Sequence, residues 1–498
     1  MKERADGRFP KVTGYDPSVP PPEVLPVVFV SGTPYDMGRQ YGQQASAMIA
    51  RNACATRATL PASWNWDEVI GQLDSRECIV AEKAPELIDL WHGIADGAEV
   101  LYDDVRLLNM LLAHSTCSTI SAWGSATKSG ETIAGSNLDA SWRQSSYTVI
   151  LIAHPSRGNS FITAPVFAGA LGGGCQLNNM GLVCMGSSGQ AARPEDRQPG
   201  VPVFSARAYV AWQCDKADEA QDMVLSLNIE GATSAHLVDI DARACVVEHT
   251  SALDAVRYSG DFGEHDYLVA ANHFLVESMQ SALHHRDDGT GGDTVFRYAS
   301  EEQLLKGSLG SLTVESFMGI LGCHDFWDGE AWHDDVWSLE PAENARSARS
   351  PEPRHVWWKT LARTIAVPSQ KTCYIMQGSV DTRSSVVPYS TGQFCKLTLA
   401  DSPSQVTADA QFEAELMVWH AARDLDLTEG PSAAREASLE QAKLAMWEGI
   451  NRQAQAATAE DADAARLLYG QAVTCFCRAQ MRAKQAQTRL GAKRAASK

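Results

Sequence analysis

The chain has 498 residues, 44% of them hydrophobic, and a formal charge of -19 at pH 7. So large a surplus of acid excludes nucleic acid and anionic membrane surfaces as expected partners, because holding a phosphate backbone takes clustered Lys and Arg. Twelve cysteines diluted in this length, with no C-x-x-C pair, exclude a disulfide scaffold and a zinc knuckle; most read as reduced thiols packed as small apolar residues.

Residues 1–29 read as a disordered, proline-rich leader that gives way to structure at "VVFV". No apolar targeting segment opens the chain, and runs such as "VLPVVFV" are too short to span a bilayer, so a cytoplasmic protein that meets no membrane is expected. Thr33, Pro34 and Asp36 supply an N-cap, a first-turn proline and a capping-box acid for a helix beginning at Pro34. Gly38 and Gly42 share one face of it and would admit a neighbouring backbone. Leu87, Leu90, Ile94, Ala98 and Leu101 keep the helical period, so residues 30–116 form a helical segment.

Beyond residue 117 the period changes to two. "ETIAGSNLD", "SYTVILIAHP", "NSFITAPV" and "CQLNNMGLVCMGSS" read as an antiparallel meander, with "GGG" at 172–174 as a tight turn. Residues 203–227 are helical, and strands return in "SAHLVDIDARACVVEHT", "YLVAANHF" and "QKTCYIMQGS". Residues 323–360 form a Trp-rich acidic loop, whose Trp327, Trp332 and Trp337 either cover a substrate or pack the insertion down. The pattern over 117–400 is α+β, two sets of strands covered by helices. Residues 401–498 are an Ala-rich helical extension ending in a basic tail, which offers a route to homo-oligomers.

Cys117 stands at the switch from helix to strand. If the Thr116–Cys117 peptide were cleaved, Cys117 would carry an α-amine whose pKa near ~8 suits a general base beside its own thiol. Ser118 and Thr119 could then assist the N-to-S acyl shift, and Asp139 could orient the amine. Residues alone favour burial as a small hydrophobe for Cys117, and leave turn capping open for Asp139 and strand-end backbone satisfaction open for Asn272.

Six separated stretches, in order, resemble one family: "GTPYDMGRQYGQQASAMIARN", "GIADGAEVLYDDVRLLN", "CSTISAWGSATKSGETIAGSNLDAS", "GALGGGCQLNNMGLVCMGSSG", "GVPVFSARAYVAW" and "VAANHFL". They look like the motifs of the isopenicillin-N acyltransferase (acyl-coenzyme A:6-aminopenicillanic acid acyltransferase) family of autoproteolytic N-terminal-nucleophile hydrolases. The resemblance implies a four-layer αββα sandwich, a precursor cut before Cys117, a helical N-terminal small subunit, and a small acyl amide or acyl thioester as substrate. Under it Cys117 matches the nucleophile, Asp139 the aspartate of "N-x-D", Asn272 the asparagine lining the oxyanion hole, and Ser234 a supporting serine.

Three departures stand out, one of them the helical tail after about residue 404, which lies outside the resemblance. Thr116 takes the place of a glycine before the nucleophile, and the family's late arginine finds only Lys371 nearby, which cannot clamp a carboxylate as a guanidinium does. No cofactor is expected, and "CHD" and "WHDD" lack the second ligand pair a metal would need. Two other readings are an uncut cysteine amidase using His273 or His114 as base, and a non-catalytic scaffold of the same fold.

Overall fold

In the computed structural model, which describes residues 22–60, 63–110, 116–189, 193–283, 293–323, 325–333, 358–377, 393–428 and 430–487, the longer strands sort into two sheets. The first runs β1 (Val27–Gly32), β4 (Thr148–Pro155), β5 (Phe161–Phe167), β6 (Gly173–Asn178), β7 (Val183–Gly189), β8 (Ala232–Val238), β9 (Ala244–His249), β10 (Asp254–Arg257). The second runs β11 (Tyr267–Ala270), β2 (Thr116–Ala122), β3 (Ile133–Ser141), β14 (Trp358–Val367), β15 (Thr372–Met376), β16 (Phe394–Thr398). Every residue of β5 and β6 is buried, so these central strands carry apolar residues on both faces, with Thr163, Gln176 and Asn178 as buried polar exceptions.

Three apolar layers show how the sheets stack. On the outer face of the first sheet, Val149, Leu151 and Leu237 meet Ile49 of α1 (Pro34–Thr59), Leu90 and Ile94 of α3 (Pro85–Ala98), Val210 of α5 (Val203–Gln213) and Val224 of α6 (Ala217–Ser226). Between the sheets, Ile150, Ile162, Leu177 and Val183 meet Ala134, Leu268, Ala366 and Ile375. On the far face of the second sheet, Ile120, Ile133 and Ile365 meet Leu305 of α8 (Asp293–Lys306) and Phe317 and Leu321 of α9 (Val314–Leu321). Helix, sheet, sheet, helix is the αββα order the resemblance implies.

The first helix forms where its caps place it: Thr33 accepts from the Asp36 N–H, and Asp36 reaches back to the cap. Gly38 and Gly42 do bring α1 onto α3, since a Cβ at Gly38 would lie 2.0 Å from the Leu90 carbonyl oxygen. Between and after these helices come α2 (Trp66–Lys83) and α4 (Tyr102–Met110), and short α7 (Glu277–Gln280) precedes α8.

The extension folds as α10 (Pro403–Asp426), α11 (Ala433–Thr458) and α12 (Ala462–Gln487), and it covers the sandwich where both sheets end. Edge strands expose unpaired backbone groups, and side chains of α12 take them up here. Thr474 Oγ1 accepts the Val27 N–H of β1 at 2.9 Å, Gln480 Oε1 accepts the Lys396 N–H of β16 at 2.9 Å, and Lys484 Nζ donates to the Phe394 carbonyl at 2.7 Å. Burial lowers the Lys484 pKa from its usual value.

The sequence reading needs three corrections. The strands after Cys117 are not one meander: β2 and β3 belong to the second sheet, the chain then crosses to the first at β4, and β4 pairs in parallel with β1. β1 begins at Val27, the first residue of "VVFV", where structure was expected to start. The stretch "GGG" is mostly strand, because Gly173 and Gly174 lie in β6; glycine is required at Gly173 because a Cβ would lie 1.7 Å from the Pro165 carbonyl oxygen. The Trp-rich stretch contains the small hairpin of β12 (Phe326–Trp327) and β13 (Trp332–His333), and its last residues open β14. Trp337 lies outside the described residues, as does His114. Among the described residues no helix is long and apolar enough to cross a membrane.

Candidate active site

Cys117 is the second residue of β2, next to the point where the β2–β11 ladder stops. Ala270 pairs with Thr119, and one step further the ladder is continued by side chains. The Cys117 N–H donates to Asn272 Oδ1 at 3.0 Å, Arg297 Nη1 donates to the Cys117 carbonyl at 2.7 Å, and Arg297 Nη2 donates to Asn272 Oδ1 at 2.8 Å. One guanidinium and one side-chain amide thus close a ring on the backbone of Cys117. A guanidinium suits this job because its donors are fixed in a planar fork.

The segment carrying Asn272 is tied down on every side. Asn272 Nδ2 donates to the Ser188 carbonyl, Ser187 Oγ donates to the Ala271 carbonyl, and the Asn272 N–H donates to Thr294 Oγ1 at 2.8 Å. Further on, Glu248 accepts the Leu275 and Val276 N–H groups at 2.8 and 3.1 Å, and Arg257 bridges Glu248 and Glu264. Burial raises the Glu248 pKa above its usual value, against these donors and Arg257.

Alternate residues of β2 face opposite ways. The Cys117 side chain lies between the sheets among Leu138, Ala140, Phe167 and Leu361, an apolar lining. On the other face, Ser118 Oγ donates to Glu301 Oε1 at 2.5 Å, and Asn137 Nδ2 reaches Ser118 Oγ at 3.4 Å. Asp139, half-buried, pairs in register with Thr116 while Leu138 pairs with Cys117, so the Asp139 side chain leaves β3 on the face opposite the thiol. Its charge acts on Glu301 and on Arg363 of β14.

Glu301 is buried, and desolvation pushes its carboxyl up to about 7; the Ser118 hydrogen bond and Arg297 pull it down, and Asp139 adds to the rise. Arg207 of α5 is 1% exposed; its guanidinium lies over the Phe204 ring, donates to the Gly186 carbonyl at 2.8 Å, and acts electrostatically on Cys117. Its Nε and Nη2 have no hydrogen-bond partner among the described residues, and burial lowers its pKa from the usual value.

The remaining residues singled out in the sequence lie further along. Thr119 Oγ1 is 2.9 Å from His236 Nδ1, and Ser121 Oγ is 2.7 Å from His236 Nε2, a buried imidazole pushed down to about 3 by desolvation. Ser234 is buried on β8 opposite Ser187. His273 Nδ1 is 3.0 Å from Thr294 Oγ1, with its ring edge-on to Tyr298. Lys371 is exposed in a left-handed turn before β15, so it is no substitute for a site arginine; Arg297 binds Cys117, and Arg207 and Arg363 act electrostatically on Cys117 and Asp139, respectively.

Those three arginines and Glu301 are what sequence reasoning missed. Arg207 left one signal, a lone charge inside the otherwise uncharged "VFSARAYVAW". Arg297 and Glu301, four apart in α8, read like any surface helix pair. Apart from the exposed Cys78 and Cys323, the other cysteines are buried thiols, and burial pushes Cys175 and Cys245 up to about 12.

No curated protein matches this chain. Solved structures similar to it include a Caenorhabditis elegans N-acylethanolamine-hydrolyzing acid amidase ortholog (15% identity, covering 57% of this chain and 100% of that one, TM-score 0.34). Two others are penicillin V acylase from Agrobacterium tumefaciens (11%, 57% and 92%, 0.34) and a mutant conjugated bile acid hydrolase from Clostridium perfringens (14%, 57% and 98%, 0.34). The layer order follows from the packing of the two sheets and their helices. The family model described as acyl-coenzyme A:6-aminopenicillanic acid acyl-transferase matches residues 125–353, which take in Asp139, Arg207, Asn272, Arg297 and Glu301 and begin just past Cys117. Over those residues the chain therefore matches the family that its motifs resemble.

Proposed function

We infer that the protein is a cysteine N-terminal-nucleophile amidohydrolase or acyltransferase, made active by cleavage between Thr116 and Cys117. The observation that carries this reading is the ring on Cys117: residues from β2, from the segment after β11 and from α8 converge on the backbone of a single cysteine. Such a clamp fixes the peptide on which an N-to-S shift would act, and holding reacting atoms in place is a large share of catalysis. Asp139, whose backbone pairs with Thr116, takes the role of orienting the α-amine that cleavage would release, a reading its register supports. That amine would take the thiol proton, and the thiolate would attack an amide or thioester carbonyl. The amide of Asn272 has one N–H on Ser188, and its second is the donor assigned to the developing oxyanion. Leu138, Ala140, Phe167 and Leu361 around the thiol suit an apolar acyl group. Water or an amine then resolves the acyl-enzyme.

Intact-mass measurement tests the reading. Two fragments meeting at Thr116–Cys117, absent from C117A, together with selective labelling of Cys117 by an electrophilic acyl probe, are the expected result. A fully intact chain that turns over amides would sink it.

A further inference from the structure

α8 sends two side chains, one turn apart, to consecutive residues of β2. Arg297 binds the Cys117 carbonyl and Asn272 Oδ1, and Glu301 accepts from Ser118 Oγ. Glu301 is 6% exposed, and its Oε2 has no hydrogen-bond partner among the described residues. Residues at i and i+4 of a helix are neighbours, so an ionised Glu301 is a natural competitor for the Arg297 guanidinium. A neutral Glu301 is not, because only the carboxylate attracts the cation strongly at short range in a buried setting.

We propose that Glu301 is a positioning residue that switches the Arg297 clamp: protonated, it leaves Arg297 on Cys117 and Asn272; ionised, it draws the guanidinium off them. The effect on turnover rests on the reading of Cys117 as nucleophile, whereas the switch itself is a property of α8 and β2.

The charges that bear on Glu301 are Arg297 from its own helix and Asp139 from β3. Of the elements packed on α8, β2 brings the hydroxyl of Ser118, and β11 and β12 consist of uncharged residues. The acid of α9, Glu315, lies towards Tyr374 and Lys484. Asp139 and the desolvated site both favour the proton on Glu301, and the carboxyl sits at about 7. The sign follows. Below that value Glu301 is neutral and the clamp closed, and as pH rises through it the clamp opens. Between pH ~6 and ~8 the neutral fraction of such a group falls about tenfold.

Hydrogen–deuterium exchange of peptides covering β2, corrected for intrinsic rates, reads the clamp without any substrate. In the wild-type full chain, protection should fall about tenfold from pH ~6 to ~8. E301Q, which keeps an acceptor for Ser118 but cannot ionise, should hold its low-pH protection throughout, and its turnover should lose the alkaline decline. Wild-type protection equal at the two pH values overturns the proposal, whether or not E301Q folds. So does an E301Q profile superimposable on that of the wild type. Failure of Cys117 to process or label, with the exchange switch intact, would instead remove the nucleophile reading and leave the clamp standing.

Discussion

Two ends of the same sandwich treat their strand edges in opposite ways. At the β1 and β16 end, Thr474, Gln480 and Lys484 of α12 satisfy edge backbone groups over an apolar core that includes Phe476 and Val473. At the β2 end, the edge of Cys117 is met by Asn272 and Arg297, with Glu301, Asp139, Arg207 and Arg363 gathered behind. The first end closes a liability with neutral donors and acceptors and one lysine. The second gathers buried charge, and desolvation shifts the pKa values of Glu301, Arg207 and Arg363 there. Burying charge is expensive unless it is paired, so a cluster of this kind is a poor way to build stability and a reasonable way to poise chemistry.

The sharpest way to break that comparison is to damage the covered end. Phe476 is fully buried, and its ring fills the space that a Cβ at Gly449 of α11 would otherwise take, 2.5 Å away. Phe476→Ala should cost about 3–5 kcal/mol of stability, through lost burial and a cavity between α11, α12 and the sandwich. Denaturant unfolding measures the loss, and acyl-probe labelling of Cys117 per folded molecule should stay unchanged. Equal losses in both would mean the two ends are not separate.

The converse experiment targets the clamp. Arg297→Met keeps much of the side-chain volume and removes the donors to Cys117 and Asn272. Loss of that positioning should slow processing or turnover about a hundredfold. The unfolding midpoint should move far less than in the Phe476 variant, because Arg297 is only half-buried. A large drop in stability with chemistry intact would assign Arg297 to the scaffold.

How much of this could be read beforehand follows the same division. The helical start, the change of period at Cys117 and the helices over 203–227 were legible, because local pattern and capping decide them. The crossing from β3 to β4 was not, since strands of both sheets carry the same period and nothing local says which sheet a strand joins. β14 was missed because "KTLARTIAV" places Arg363 in the middle of a strand, where its guanidinium lies buried near Asp139. Cys117 and Asn272 stood out by motif, and the structure brings them within one hydrogen bond. Arg297 and Glu301 could not stand out, because a buried i, i+4 pair and an exposed one have the same spelling.

The smallest expected effect belongs to the outer face of the covering helices. Phe412, Leu416 and Trp419 form an exposed stripe on α10, opposite its buried Ala414, Val418 and Ala421, and Trp419 is 54% exposed with the Arg423 guanidinium 5.5 Å from its ring centre. Trp419→Ser removes a contact worth about 0.5–1 kcal/mol at exposed sites. Most of the indole stays in water in the folded state, so little burial is lost with it, and the unfolding free energy should fall by no more than about 1 kcal/mol. A loss as large as that at Phe476 would mean this face is buried in the folded protein under assay conditions, and the covering end would then reach beyond the sandwich it seals.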